Sequence, residues 1–175
     1  DSMLLNILRR AKELIERGET LFASPYLHFF LANRFTNEDL QNPEILENFC
    51  NLDDSEIISA IKVWQNVEDT TLSILCQKLI QRNLLKIKIA ETSYSAQEIA
   101  ARKQEVCSQL GIPPEEADYF IVAGKLSNNT YNTDGDTLKI GMKDGSLKEL
   151  SEASEIYNLS ADNKPTIKYF ITSLN

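Results

Sequence analysis

A chain of 175 residues, 42% hydrophobic and 25% charged, is long enough for one sizeable core or two small ones. Its 18 Lys and Arg against 26 Asp and Glu give a net charge of -8, a field that repels nucleic acid and anionic membrane, so any phosphate binding must be local. No apolar run approaches the ~20 residues that span a bilayer, and Cys50, Cys76 and Cys107, odd in number and set in apolar contexts, suit reduced packing thiols rather than disulfides or a zinc pattern. These features predict a cytoplasmic protein.

Met3, Leu4, Ile7, Leu8, Ala11, Leu14 and Ile15 recur at helical spacing with Arg9, Arg10, Lys12, Glu13, Glu16 and Arg17 opposite, and Gly18 stops the helix. The opening "DSMLLNILRRAKELIERGE" is amphipathic and charged, unlike a secretory signal. It enters the helix already under way, which predicts a fragment of something longer. "SPYLHFFLANRF" reads as a short apolar helix capped by Ser24 with Pro25 at its first position, packed centrally. Short helical turns are expected in "TNEDLQNPEILENFCNL". A helix capped by Asp53 or Asp54 carries Ile57, Ile58, Ile61 and Trp64 on one side, and Asp69 caps another through Leu72, Leu75, Cys76, Leu79 and Ile80.

From Leu84 the period changes to two: Leu85, Ile87 and Ile89 on one face, Lys86 and Lys88 on the other. Ser95 then caps "AQEIAARKQEVCSQL", which Gly111 and the Pro113-Pro114 pair end. Strands are predicted in "ADYFIVAGKLS", "TLKIGMK" and "PTIKYFITSL", with a short helix in "DGSLKELSEASEIYNLS". The order β-α-β-β-α-β predicts an α+β chain: a helical segment, residues 1–83, then a ferredoxin-like βαββαβ domain, residues 84–175.

The chemistry-bearing residues are few. His28 is the sole histidine, so a metallohydrolase site or a His-based nucleophile cannot be assembled from this sequence, and no phosphate-binding loop, GxGxxG or CxxC occurs. "NTDGD", 132–136, imitates the start of a calcium loop but has neither the turn Gly nor the closing Glu at the required distance, and reads better as a hairpin loop. Asp53-Asp54 is explained by capping. What remains is a basic cluster where helix gives way to strand. Arg82 and Lys86 read either as a helix-end cation and a solvated edge charge, or as a planar fork and a point charge for one phosphate. The residues alone leave both readings open.

"LDDSEIISAIKVWQ" with "DTTLSILCQKLIQRNLLKIKI" resembles the C-terminal part of HD-domain phosphohydrolases of the deoxynucleoside triphosphate triphosphohydrolase type, including the animal SAM-and-HD-domain relative. "MLLNILRRAKELIERGETLFASPYLHFFL" looks like the segment after the catalytic HD core in bacterial members, and residues after 90 match the appended domain in outline. The resemblance implies the regulatory and oligomerisation portion of a metal-dependent nucleotide phosphohydrolase, with no catalytic residues and no cofactor of its own. The divalent metal would lie in an upstream HD core absent from this chain. The partners implied are that core, further copies of the chain and a regulatory nucleotide. In the SAM-and-HD-domain relative, the Arg and Lys of the box matching "RNLLK" contact phosphates of such a nucleotide at a subunit interface. Those positions are Arg82 and Lys86 here; Leu85 departs from the Phe of that relative, which keeps both charges but leaves the nucleotide open. The alternative is a non-catalytic module binding a protein or a small ligand. An RNA-binding sheet is disfavoured by the net charge, although "DYFIVAG" supplies Tyr119 and Phe120.

Overall fold

A computed structural model of the chain describes residues 2–127, 139–149 and 167–174. The helical spacing near the start forms α1 (Ser2–Glu16), which buries Met3, Ile7, Ala11 and Leu14 and also Asn6 and Arg10. It ends as its glycine predicts: Gly18 is left-handed (φ 92°), its N–H bonds the Ile15 carbonyl at 2.9 Å and that of Glu19 bonds Leu14 at 3.0 Å.

Next, α2 (Pro25–Ala32) is capped by Ser24 Oγ, which accepts from the Leu27 N–H at 3.2 Å. It is less central than expected. Leu27 and Leu31 are buried, but His28 is exposed and so are the neighbouring Phe22 and Tyr26. A 3-10 turn (Glu38–Gln41) and α3 (Pro43–Asn51) account for the expected short helical turns. In α4 (Asp54–Trp64), Asp53 is the cap and forms a reciprocal capping box with Glu56. Ile61 and Trp64 are fully buried, whereas Ile58 is exposed. Asp69 caps α5 (Thr70–Ile80), whose Leu72, Leu75 and Cys76 are fully buried.

The strand at the change of period is β1 (Lys86–Ala90), but its apolar face is not buried: Ile87 and Ile89 are 62% and 54% exposed. Alternation marks a strand here without marking a core face. Ser95 opens α6 (Ala96–Leu110) with a second capping box, and Gly111 closes it left-handed. The strand predicted from Ala117 starts late. Residues Pro114–Tyr119 form a 3-10 turn, Phe120 and Ile121 are buried in irregular backbone, and β2 runs Ala123–Ser127. Then come β3 (Lys139–Gly141), β4 (Leu147–Glu149) and β5 (Ile167–Ser173).

The chain is thus α+β. Among the described residues there are two small sheets, one with the order β1-β5-β2 and an antiparallel pair β3-β4 in which Ile140 faces Lys148. The ferredoxin-like arrangement requires one four-stranded sheet and a second helix. That helix is the one predicted in 144–160: its described part carries the strand β4, and the rest, like the loop 132–136, lies outside the described residues.

Two compact units emerge. One comprises 1–88, 94–123 and 171–175; the other comprises 89–93 and 124–170. The first unit holds a core of Ile7, Leu14, Ile61, Trp64, Leu72, Leu75, Phe120 and Ile171, with Trp64 Nε1 donating to the Phe22 carbonyl at 2.8 Å. Thr172, buried, ties the last strand in: its Oγ1 donates to the Phe120 carbonyl at 2.6 Å and accepts from the Val122 N–H at 2.7 Å. In the second unit Gly124 faces the Phe170 ring so closely that a Cβ there would stand 2.6 Å from it.

Candidate functional site

Arg82 follows the last turn of α5. Its N–H bonds the Leu79 carbonyl at 3.2 Å, and the Asn83 N–H bonds Lys78 at 2.9 Å, the bonding pattern that closes a helix around a left-handed residue. Arg82 is that residue, with φ 57°, and among the described residues it is the sole non-glycine with positive φ. A side chain with a Cβ costs about 1–2 kcal/mol in this conformation. Glycine would be the economical choice, so an arginine here keeps a guanidinium at the helix exit against a backbone penalty. Lys86 begins β1 four residues later. Both side chains are exposed, and neither forms an ion pair among the described residues. The helix end and the strand start thus present two cations whose charge is not already taken by an acid.

The strongest electrostatic construction lies elsewhere and was not foreseen. Arg10, 2% exposed, donates from Nε to Asp69 Oδ1 (3.1 Å) and from Nη2 to Asp69 Oδ2 and Glu116 Oε1 (2.5 Å each), with Glu13 at 3.5 Å. Its guanidinium stands 5.7 Å from the centre of the Tyr119 ring. Asp69 Oδ1 also accepts from the Leu72 N–H at 2.7 Å, and Thr71 Oγ1 donates to Glu116 Oε2 at 2.5 Å. One buried cation therefore joins α1, the cap of α5 and the 3-10 turn at 114–119. Burial alone would lower the Arg10 pKa, but its bonds to Asp69 and the charges of Asp69 and Glu116 outweigh this and hold it above its ordinary value. Burial, then the hydrogen bond to Glu13, pushes the Tyr119 phenol above its usual range.

The sequence did hold a signal for Arg10. Met3, Ile7, Arg10 and Leu14 follow a 4-3-4 spacing, so Arg10 lies within the apolar stripe and not opposite it. Among the described residues no three His, Cys, Asp or Glu come together as a metal-holding group, and His28 stands exposed on α2. No described helix is long and apolar enough to cross a membrane.

No family model matches the chain. Over 164 residues it is 28% identical to the uncharacterized protein YwfO of Bacillus subtilis, covering 88% of this chain and 34% of that protein. A solved crystal structure of a phosphohydrolase from Bacteroides thetaiotaomicron superimposes with a TM-score of 0.83 at 39% identity, covering 99% of this chain and 43% of that one. This chain thus spans less than half the length of either relative, and along nearly all of its own length it is similar in sequence and fold to part of a phosphohydrolase.

Proposed function

We propose that this chain is the C-terminal regulatory and oligomerisation portion of an HD-domain, metal-dependent nucleotide phosphohydrolase, without chemistry of its own. The observation that carries this reading is the match of 99% of the chain to less than half of a phosphohydrolase. The composition agrees with it: a single histidine cannot supply the several imidazoles such a metal centre uses, so the divalent ion would be held by residues outside this sequence. Arg82 and Lys86 would hold the phosphates of a regulatory nucleotide, the fork of Arg82 giving direction and Lys86 adding charge. The strained backbone at Arg82 and the absence of an acidic partner for either cation among the described residues support that role.

The test compares this chain with the whole protein that carries it. The whole protein should hydrolyse deoxynucleoside triphosphates to deoxynucleoside and inorganic triphosphate with added manganese or magnesium, and the 175 residues alone should not. Hydrolysis by the chain alone that follows it through chromatography refutes the proposal, as does a whole protein inert toward every nucleotide.

A second reading, a module that binds another protein, is favoured by one feature. Phe22, Tyr26, Leu46 and Phe49, on and beside α2 and α3, are all exposed, the last at 56%. Sedimentation separates the two: self-association abolished by Phe49→Glu would give these helices to oligomerisation, and a chain that stays monomeric would leave them to another protein.

A further inference from the structure

A cleft of about 540 Å³ opens beside α1, in the range of small-molecule sites. Its wall is apolar, with Leu5, Ile99 and Ile121, and its rim carries Arg9 and Lys103. One lining residue is out of place for a mere surface groove. Asn6 is 5% exposed, and its Nδ2 donates to the Tyr119 carbonyl at 2.9 Å. Because that carbonyl can only accept, the amide orientation is fixed and Oδ1 is the remaining atom. Oδ1 has no hydrogen-bond partner among the described residues. Buried acceptors left in that state are few in native proteins. The site therefore offers an open acceptor to a donor, an N–H or O–H, next to an apolar surface.

The rim sets the charge of what fits. Arg9 is exposed and engages no acid among the described residues, while Lys103 is paired with Asp118, which also lines the cleft. The two cations and one acid sum to a single positive charge. A triphosphate would meet Asp118 with too little positive charge to offset it, whereas a single phosphate, about −1.5 to −2 at neutral pH, is left with a far smaller excess.

We propose that this cleft binds a nucleoside 5′-monophosphate. The N–H of the base meets Asn6 Oδ1, the faces of the ring lie on Leu5, Ile99 and Ile121, and the phosphate is taken by Arg9 with help from Lys103. The site is built from this chain's own side chains, so it stands or falls separately from the phosphohydrolase reading.

The test uses the ¹⁵N-labelled 175-residue chain, titrated to millimolar concentration with AMP, GMP, CMP and UMP in separate series, and with inorganic phosphate alone. At least one nucleotide should give saturable shifts at the amides of Asn6, Ile99 and Ile121 and at the Asn6 side-chain NH₂, with phosphate alone failing to saturate them. Arg9→Ala, at an exposed position, should weaken binding about ten-fold or more. Ile99→Trp, filling the cleft from its half-buried wall, should abolish it, while both variants keep a dispersed spectrum. No saturable shift with any of the four nucleotides overturns the proposal. So do shifts centred on Arg82 and Lys86 instead, or affinity unchanged in both variants.

Discussion

Arg10 and Asp69, 59 residues apart, are joined by two hydrogen bonds, and the Asp69 oxygen that receives one of them, Oδ1, also caps α5. The cap and the ion pair are one device. Asp69 is held in its capping position by Arg10, and Arg10 is kept soluble inside the core by Asp69 and Glu116. Replacing Arg10 by Met leaves two carboxylates facing each other in a largely dry site, and should destabilise the protein by about 3 kcal/mol or more. A urea titration of wild type and Arg10→Met measures it. Adding Asp69→Asn and Glu116→Gln to Arg10→Met should recover part of the loss, because the uncompensated charge is then gone.

At Arg82 the structural and the functional readings predict opposite signs. Glycine there removes a left-handed penalty of about 1–2 kcal/mol and forfeits a helix-end cation worth about 0.3–1 kcal/mol. Arg82→Gly should therefore raise the melting temperature. If the guanidinium grips a phosphate, the same change in the whole protein should weaken a regulatory nucleotide roughly ten- to a hundred-fold. Lys86→Ala should weaken the nucleotide without any gain in stability. Higher stability with unaltered nucleotide affinity would return Arg82 to a structural role.

The three thiols should react in the order of their surroundings. Cys50 is exposed, Cys107 half-buried and Cys76 fully buried, and burial pushes the Cys76 thiol up to about 12. With a maleimide at pH 8, Cys50 should label first and Cys76 only on unfolding, as read by mass spectrometry of digested fragments. The same burial has a sign in pH. Above the ordinary thiol pKa of about 8.5 the unfolded chain releases the Cys76 proton while the native chain keeps it. Cys76 therefore takes away stability as pH rises from there toward 12.

Acid acts on the helix caps. The hydroxyl of Ser55 and the N–H groups of Glu56 and Ser55 lower the pKa of Asp53, and the N–H and hydroxyl of Ser95 lower that of Glu98. Their contribution is complete above the unfolded carboxyl values of about 4, and is lost as pH falls through the lower native ones. Far-ultraviolet dichroism between pH 5 and 2 should show a loss of helix that is smaller in Asp53→Asn, which keeps an accepting oxygen that does not titrate.

What could be seen in the sequence was whatever is decided within a few residues. Ser24, Asp53, Asp69 and Ser95 cap helices because an oxygen and the amides two or three residues on are all local. Gly18 and Gly111 close helices for the same reason. The Arg10 node was missed because its partners lie 59 and 106 residues away, and residues 114–119 turn into a 3-10 segment at the point where Glu116 is held by Arg10 and Thr71. The exposed Ile87 and Ile89 show the converse limit: a period of two identifies a strand, but only the neighbouring elements decide which face is dry. For the candidate site, sequence supplied Arg82 and Lys86 and their helix-to-strand context; the left-handed backbone beneath Arg82 required coordinates.

The first compact unit is assembled from three stretches of chain, 1–88, 94–123 and 171–175, and Thr172 locks the last of them to the backbone at Phe120 and Val122. On the ribosome this has a consequence in time. The first five helices emerge well before the residues that complete their core, since Phe120 and then Ile171 must still be made, a wait of several seconds at ordinary elongation rates. Until then α1 carries a buried-type arginine without Glu116, and the nascent helices expose apolar faces that Phe120 and Ile171 later cover. A stop codon placed after residue 83 should accordingly yield a species degraded in the cell rather than a free-standing helical domain.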